Sequence, residues 1–137
     1  MRHVIFTLQG DRYGVLLSKV RTIVMPRPLT RVPRAPRAML GIMNLRGRVV
    51  SVVDLAALLG LTSVATHGKV LLLDRGRTEL GMAVSDVLGI APLEVKGRAP
   101  DGSPAFVSGV AQDSMGAVTL LDADGLDAQV GALFPQG

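Results

Sequence analysis

Hydrophobic positions along the chain fall in short runs broken by turn-forming residues, and GIMNLRGRVVSVVDLAALLG at residues 41–60 shows the pattern most clearly. Val49, Val50, Val52 and Val53 are β-branched, which suits a pleated strand better than a helix. Asn44 and Gly47 are turn formers, and Gly47 takes a positive φ without steric cost. The pattern predicts strands over Gly41–Leu45 and Arg48–Val53 joined by a tight turn. Asp54 then N-caps a short helical segment, Leu55–Leu59, with Gly60 where a helix C′ residue is expected. By spacing alone, Arg46 is a solvated turn residue.

The same pattern occurs twice. Tyr13–Ile23 (YGVLLSKVRTI) is similar to Leu80–Ile90 (LGMAVSDVLGI) at an offset of 67. Upstream, Val4-Ile5-Phe6 falls on Leu71-Leu72-Leu73 at that offset. Downstream, Gly41-Ile42 falls on Gly109-Val110 and Asp54 on Asp122, at offset 68. Several matches in order at nearly one offset indicate two copies of one supersecondary unit. Each unit is expected to run strand, strand, short helical turn, irregular stretch, strand, strand.

Gly10-Asp11-Arg12, Arg75–Thr78 and Asp113–Gly116 read as hairpin tips. Pro26–Pro36 is held extended by its prolines, and residues 96–105 form the equivalent loop of the second copy. Short strands at close spacing predict an all-β chain of two small barrels, residues 1–62 and 63–137, within one domain spanning 1–137. Lobes of this size are marginal alone, so they are expected to share a core near the linker Thr62–Gly68. Val4, Phe6, Val53, Leu73, Val84 and Leu121 are its expected members.

Composition narrows the function classes. The 137 residues are 48% hydrophobic but only 3% aromatic, and there is no cysteine. Disulfides, thiolate metal sites and thiol nucleophiles are thereby excluded. The N-terminal apolar run is too short for a signal peptide, and no stretch approaches the ~20 apolar residues of a membrane span. A cytoplasmic protein without direct membrane contact is expected. Charge is uneven. Residues 1–60 carry ten Lys/Arg against two acids, a net +8, whereas residues 61–137 carry five against nine, a net −4. Such asymmetry points to a partner that meets one end. Arg27, Arg31, Arg34 and Arg37 are expected to steer an acidic partner surface, an effect that salt would weaken.

Catalytic constellations are not found. His3 and His67 lie far apart in sequence without metal-ligand spacing. Ser51, Ser85 and Ser108 lack the context of an activated nucleophile. There is no phosphate-binding GxxxxGK[ST] and no strand-linked GxGxxG, so no cofactor is expected. Asp54 and Asp122 read as helix caps. The basic pI of about 10.3 raises nucleic-acid binding, but a barrel that binds single strands also needs aromatic platforms, and Phe6 and Phe134 read as core.

The chain resembles the CheW family of bacterial chemotaxis adaptors. The resemblance rests on Phe6-Thr7-Leu8, Tyr13-Gly14-Val15, the V-x-x-I of Val20–Ile23, Thr30–Pro33, the N-L-R-G and V-x-D-L pattern within Gly41–Leu55, and Gly81–Ile90. It covers nearly the whole chain. It implies two five-stranded, SH3-like barrels on a shared hydrophobic core, with no chemistry of their own. The implied partners are a chemoreceptor (methyl-accepting chemotaxis protein) cytoplasmic tip, the regulatory domain of a CheA-type histidine kinase, and other CheW-like proteins in membrane-associated receptor arrays.

The family's N-L-R-G arginine falls on Arg46, near the groove that receives the receptor tip. Val20, Ile23 and Val24 are the apolar counterparts, and Ile42 completes the expected receptor-binding set. Arg46 either touches the receptor or braces the groove. Two positions depart from the family pattern. Ser51 stands where a proline is usual, and Thr22, flanked by Arg21, stands where a glutamate is usual, so that an acidic groove edge becomes neutral or basic. Three readings follow: an adaptor joining receptor to kinase; an accessory scaffold that binds receptors or array rings without activating kinase; and, from another class, a basic nucleic-acid-binding barrel.

Overall fold

A computed structural model describes residues 1–61, 68–74 and 79–133. The expected hairpin tip Arg75–Thr78, His67, Phe134 and all of the linker Thr62–Gly68 except Gly68 lie outside the described residues. The first half supplies β1 (Arg2–Leu8), β2 (Asp11–Leu16), β3 (Val20–Val24), β4 (Met39–Leu45) and β5 (Arg48–Asp54), then a short helix α1 (Leu55–Leu58). The second half supplies β6 (Lys69–Leu73), β7 (Glu79–Val84), β8 (Asp86–Pro92), β9 (Val107–Asp113) and β10 (Gly116–Leu121), then α2 (Ala123–Leu133). The chain is thus all-β with short helices, as its pattern predicts.

The local predictions around residue 50 hold in detail. Arg46 and Gly47 form the two-residue turn between β4 and β5, with φ of 53° and 83°. A tight hairpin turn of this twist needs positive φ at both central residues, so Arg46 adopts the left-handed conformation as well as Gly47. The Gly47 N–H donates to Asn44 Oδ1 at 2.9 Å, closing the turn. Asp54 is buried, and its side chain accepts from the Ala56 N–H at 3.1 Å as the N-cap of α1. Gly60 follows with φ 78°.

The two copies have the same layout but exchange strands. One sheet has the order β8-β1-β2-β10-β9 and the other β3-β6-β7-β5-β4. Replacing each strand by its repeat partner turns the first order into the second. The sheets therefore do not follow the division at residues 62 and 63. β1 and β2 join strands of the second half, and β6 and β7 join strands of the first. The crossings are the parallel pairs β2–β10 and β5–β7 and the antiparallel pairs β1–β8 and β3–β6. In hydrogen-bond terms each unit is a five-stranded sheet with two end strands.

Even the irregularities repeat. Arg21 is the extra residue of a bulge between Val20 and Thr22 on β3, and Leu88 occupies the same place on β8. Gly41 follows a second bulge on β4, and Gly109 follows its counterpart on β9. Both glycines are needed for close approach. A Cβ on Gly41 would stand 2.6 Å from the Thr30 carbonyl oxygen, and one on Gly109 2.8 Å from that of Gly97. Thr30 and Gly97 are the points where the irregular stretches bridge back, to Ile42 and Val110 respectively.

Core placement explains the continuous apolar runs. On β1, Val4, Phe6 and Leu8 join a cluster shared by both sheets, whereas Ile5 joins a cluster inside its own sheet. On β6, Leu71 and Leu73 face the shared cluster and Val70 and Leu72 the second sheet's own. A strand buried on both faces loses the apolar–polar alternation of a half-exposed strand. All six expected core residues, Val4, Phe6, Val53, Leu73, Val84 and Leu121, lie in the shared cluster. The sequence pattern did not predict α2 at its observed length of 11 residues. It adds Leu126 and Val130, four residues apart and on one face, to the same core.

His3 is buried on β1, with Nδ1 3.0 Å from the Met1 carbonyl oxygen. Burial lowers its pKa, partly offset by that hydrogen bond. A lowered folded pKa means that the unfolded chain binds the proton more readily. The stability contribution is full above the unfolded value, about 6.5, and is lost as pH falls below it. The melting temperature should therefore drop between pH 7.5 and 5.5, more for the wild type than for His3→Gln. Equal drops in the two proteins would contradict this account.

Candidate functional site

β3 and β4 are the two end strands of one sheet, yet residues from both ends line one cavity of ≈ 270 Å³. The sheet therefore curls until its ends face each other across a hollow. The floor is apolar: Leu45 and Leu72 are buried there, and half-buried Val24 forms one wall. The rim carries Thr22 and four arginines, Arg21, Arg27, Arg46 and Arg48, all exposed.

Each arginine reaches the rim for a local reason. Arg21 is the bulged residue of β3, and bulges re-aim side chains. Arg46 and Arg48 flank Gly47 at the β4–β5 turn, where a two-residue loop brings both to one end of the hairpin. Arg27 lies in the strand-like stretch after β3, between Pro26 and Pro28, which fix φ and keep the chain extended. Guanidinium groups stay charged at any physiological pH and present a fork of donors that matches carboxylate or phosphate. Arg21 and Arg48 also engage other groups within the protein. No carboxylate stands among the described lining residues. The cavity holds the volume of about nine waters, enough for a side chain but not a folded element.

The expected receptor-binding residues are partly brought together. Val24 and Arg46 share the cavity. Val20 packs instead against the shared core, and Ile23 is 39% exposed on β3. Ile42 is half-buried on β4, exchanging backbone hydrogen bonds of 2.8 and 2.9 Å with Thr30. None of these three is among the described lining residues. The four-arginine patch divides likewise: Arg27 reaches the cavity and Arg31 is exposed beyond it, while Arg34 and Arg37 are exposed in two turns. Arg34 has φ 63°, and the Ala35 N–H donates to the Val32 carbonyl oxygen at 3.2 Å, so Pro26–Pro36 is not extended throughout. Arg48 was not singled out from the sequence, and Arg21 was noted only as the neighbour of Thr22. The two-residue spacing of Arg46 and Arg48 around the turn was a usable signal for Arg48; the bulge that turns Arg21 was not legible.

Other features offer less. A hollow of ≈ 490 Å³ near the N-terminus is lined by His3, Leu93, Glu94 and Leu121 among others. Its polar groups form no cluster able to hold a metal among the described residues. Phe6, Tyr13 and Phe106 are buried, the first two stacked with ring centroids 5.9 Å apart. No described aromatic side chain is therefore exposed as a stacking platform for bases. Arg12 donates to both carboxylate oxygens of Asp113, at 2.7 and 2.6 Å, and to the Gly116 carbonyl oxygen. This pairing holds the Asp113 carboxyl down to about 2 and ties β2 to the β9–β10 turn. Among the described residues, no helix is long and apolar enough to cross a membrane.

Two strand-exchanged five-stranded sheets on one core, with an arginine-rimmed cavity between the ends of one of them, define an all-β fold. The chain belongs to the CheW-like domain family, which it matches over residues 2–129. It is 30% identical over 115 residues to the chemotaxis protein CheW of Rhizobium meliloti, covering 78% of this chain and 74% of that protein. It is 31% identical over 98 residues to the chemotaxis protein CheW of Klebsiella aerogenes, covering 68% of this chain. The match spans 59% of the Klebsiella aerogenes protein and 59% of a Rhizobium etli relative. In fold, the chain is similar to the crystal structure of the scaffolding protein TtCheW from Thermoanaerobacter tengcongensis. The TM-score is 0.78 at 24% identity, over 88% of this chain and 87% of that one.

Proposed function

We propose that this chain is a non-enzymatic chemotaxis adaptor that couples the cytoplasmic tip of a chemoreceptor to a CheA-type histidine kinase. The observation that carries the reading is the cavity that joins Val24 to Arg46. Two residues from separate family motifs, distant in sequence and on opposite ends of a sheet, line one apolar-floored, arginine-rimmed hollow. A receptor tip is a helical hairpin, and an apolar groove with a charged edge suits a helix laid across it. Val20, Ile23 and Ile42 extend this receptor surface outside the hollow. The protein then works in the cytoplasm, at membrane-associated receptor arrays, without touching lipid itself.

Thr22 favours a second reading within the same family. It stands exposed on the cavity rim where the family pattern has an acid. An accessory scaffold that binds receptors or other CheW-like proteins without activating kinase would tolerate that change. The nucleic-acid reading is weaker, because Phe6, Tyr13 and Phe106 are buried.

Pairwise titrations separate the readings. A receptor cytoplasmic fragment and a kinase regulatory domain are each titrated against the purified chain. The adaptor reading expects both to bind, and the accessory reading expects the receptor alone. Binding of neither, with a salt-sensitive shift of DNA or RNA, would leave only the nucleic-acid reading.

A further inference from the structure

The internal repeat provides a control for the arginines of the cavity. The two copies share strand order, bulges and turn length, so each position has a counterpart at the same register. The turn backbones differ: Arg46 and Gly47 have positive φ, and Ser114 and Met115 do not. Arg21 corresponds to Leu88, the bulged residue of β8. Arg46 and Arg48 correspond to Ser114 and Gly116, across a two-residue turn with the same register: Leu45 pairs with Arg48, and Asp113 with Gly116. Arg27 falls on Glu94 at the repeat offset of 67. The fold builds this corner a second time with no arginine at any of the four places. The bulge and a two-residue turn of this register therefore form without guanidinium groups.

Arg21 and Arg48 have other engagements in the protein, which leaves Arg27 and Arg46 to carry the argument. They reach the cavity from opposite sides, one after β3 and one at the end of β4. Thr22 adds a neutral hydroxyl, and the floor between them is Leu45 and Leu72. Two permanent cations over an apolar floor form a receptor for an anion carried on an apolar stem. Glutamate has that shape, with methylenes for the floor and a carboxylate for the fork.

We propose that the cavity is a carboxylate socket in which Arg27 and Arg46 together clasp an acidic side chain from the partner's helical tip, and so select partners by charge. This inference rests on the reading of the chain as a receptor-binding adaptor and names the feature of the receptor that the site recognises. It makes Arg27 a specificity-determining residue separate from the other arginines of its stretch. Arg31, Arg34 and Arg37 then contribute only long-range attraction.

The test is a charge exchange. Receptor cytoplasmic fragments are titrated against the wild type and against Arg27→Glu, Arg46→Glu, Arg27→Gln and Arg31→Glu, all at one ionic strength. Far-ultraviolet circular dichroism serves as the folding control. Reversal at Arg27 or Arg46 is expected to weaken binding roughly tenfold or more, neutralisation less, and Arg31→Glu by no more than about twofold. Changing one tip glutamate to lysine should then restore binding to Arg46→Glu while weakening binding to the wild type. Binding that survives reversal at both Arg27 and Arg46 overturns the inference and leaves the adaptor reading standing. Failure of every receptor fragment to bind the wild type overturns both. A DNA oligonucleotide that binds the wild type and is lost with Arg27→Glu would show a phosphate site, and it too would overturn the carboxylate assignment.

Discussion

Val24→Asp is expected to abolish binding of the receptor tip, by roughly 100-fold or more, because it replaces an apolar contact with a carboxylate that must be desolvated on binding. Val24 lines the cavity wall and packs against the sheet's own cluster beside Leu29 and Leu40. A bound helix would desolvate this position, and the aspartate would compete with the partner's acid for Arg27 and Arg46 on the same rim. Arg46→Ala is the companion change. It removes one side of the rim and leaves an exposed turn that already tolerates positive φ. The loss of a charged hydrogen bond is about 1–3 kcal/mol. Arg46→Lys should recover only part, since lysine keeps the charge but not the fork. Because Val24 also touches the core, thermal melts of each variant accompany the titrations. Folded Val24→Asp and Arg46→Ala proteins with unchanged affinity would place the receptor site elsewhere on the surface.

The second large effect concerns stability. Phe6→Ala is expected to cost about 3–5 kcal/mol, the range for deleting a buried aromatic ring. Phe6 is 0% exposed, stacks on Tyr13, and lies in the cluster that joins the two sheets. Small domains hold only ~5–15 kcal/mol in total, so this change removes a large share of the margin. The melting temperature should fall by roughly 10–20 °C. Both sheets should melt together, because strand exchange leaves neither with a core made from one half of the chain. Urea unfolding checks the prediction. A loss under about 1 kcal/mol, or two separate transitions, would mean that the shared cluster does not hold the fold together.

The sequence made some of this legible. The β4–β5 hairpin, the Asp54 cap and the repeat register were readable because each depends on local chemistry: β-branched runs, a short acceptor side chain, and matching residues at a fixed offset. The shared core was readable because two lobes of this size are marginal alone and must bury surface against each other. The strand exchange was not. Hydrophobic patterning says which face of a strand is buried, but not which strand lies beside it, and β2 keeps its local hairpin with β1 while taking β10, far along the chain, as its other neighbour. α2 escaped because Gly125 and Gly131 lower its helix propensity, while Leu126 and Val130 supply the tertiary contacts that offset them. The positive φ of Arg46 follows from the turn type, which only the register of the two strands fixes. The cavity itself depends on a bulge and on the curl of a sheet. Both are set by pairing partners far along the chain, so Arg21 joined Arg46 only in three dimensions, whereas Arg48 lay within reach of the turn spacing.

The most direct measurement of the central claim is a bridging experiment. A CheA-type kinase is sedimented with receptor-containing membranes, with and without this chain. The adaptor account predicts that the kinase pellets strongly only when the chain is present, and that Arg46→Ala reduces the pelleted kinase along with the chain. Kinase that pellets equally in its absence, or a chain that pellets with receptor and leaves all the kinase in solution, would contradict it.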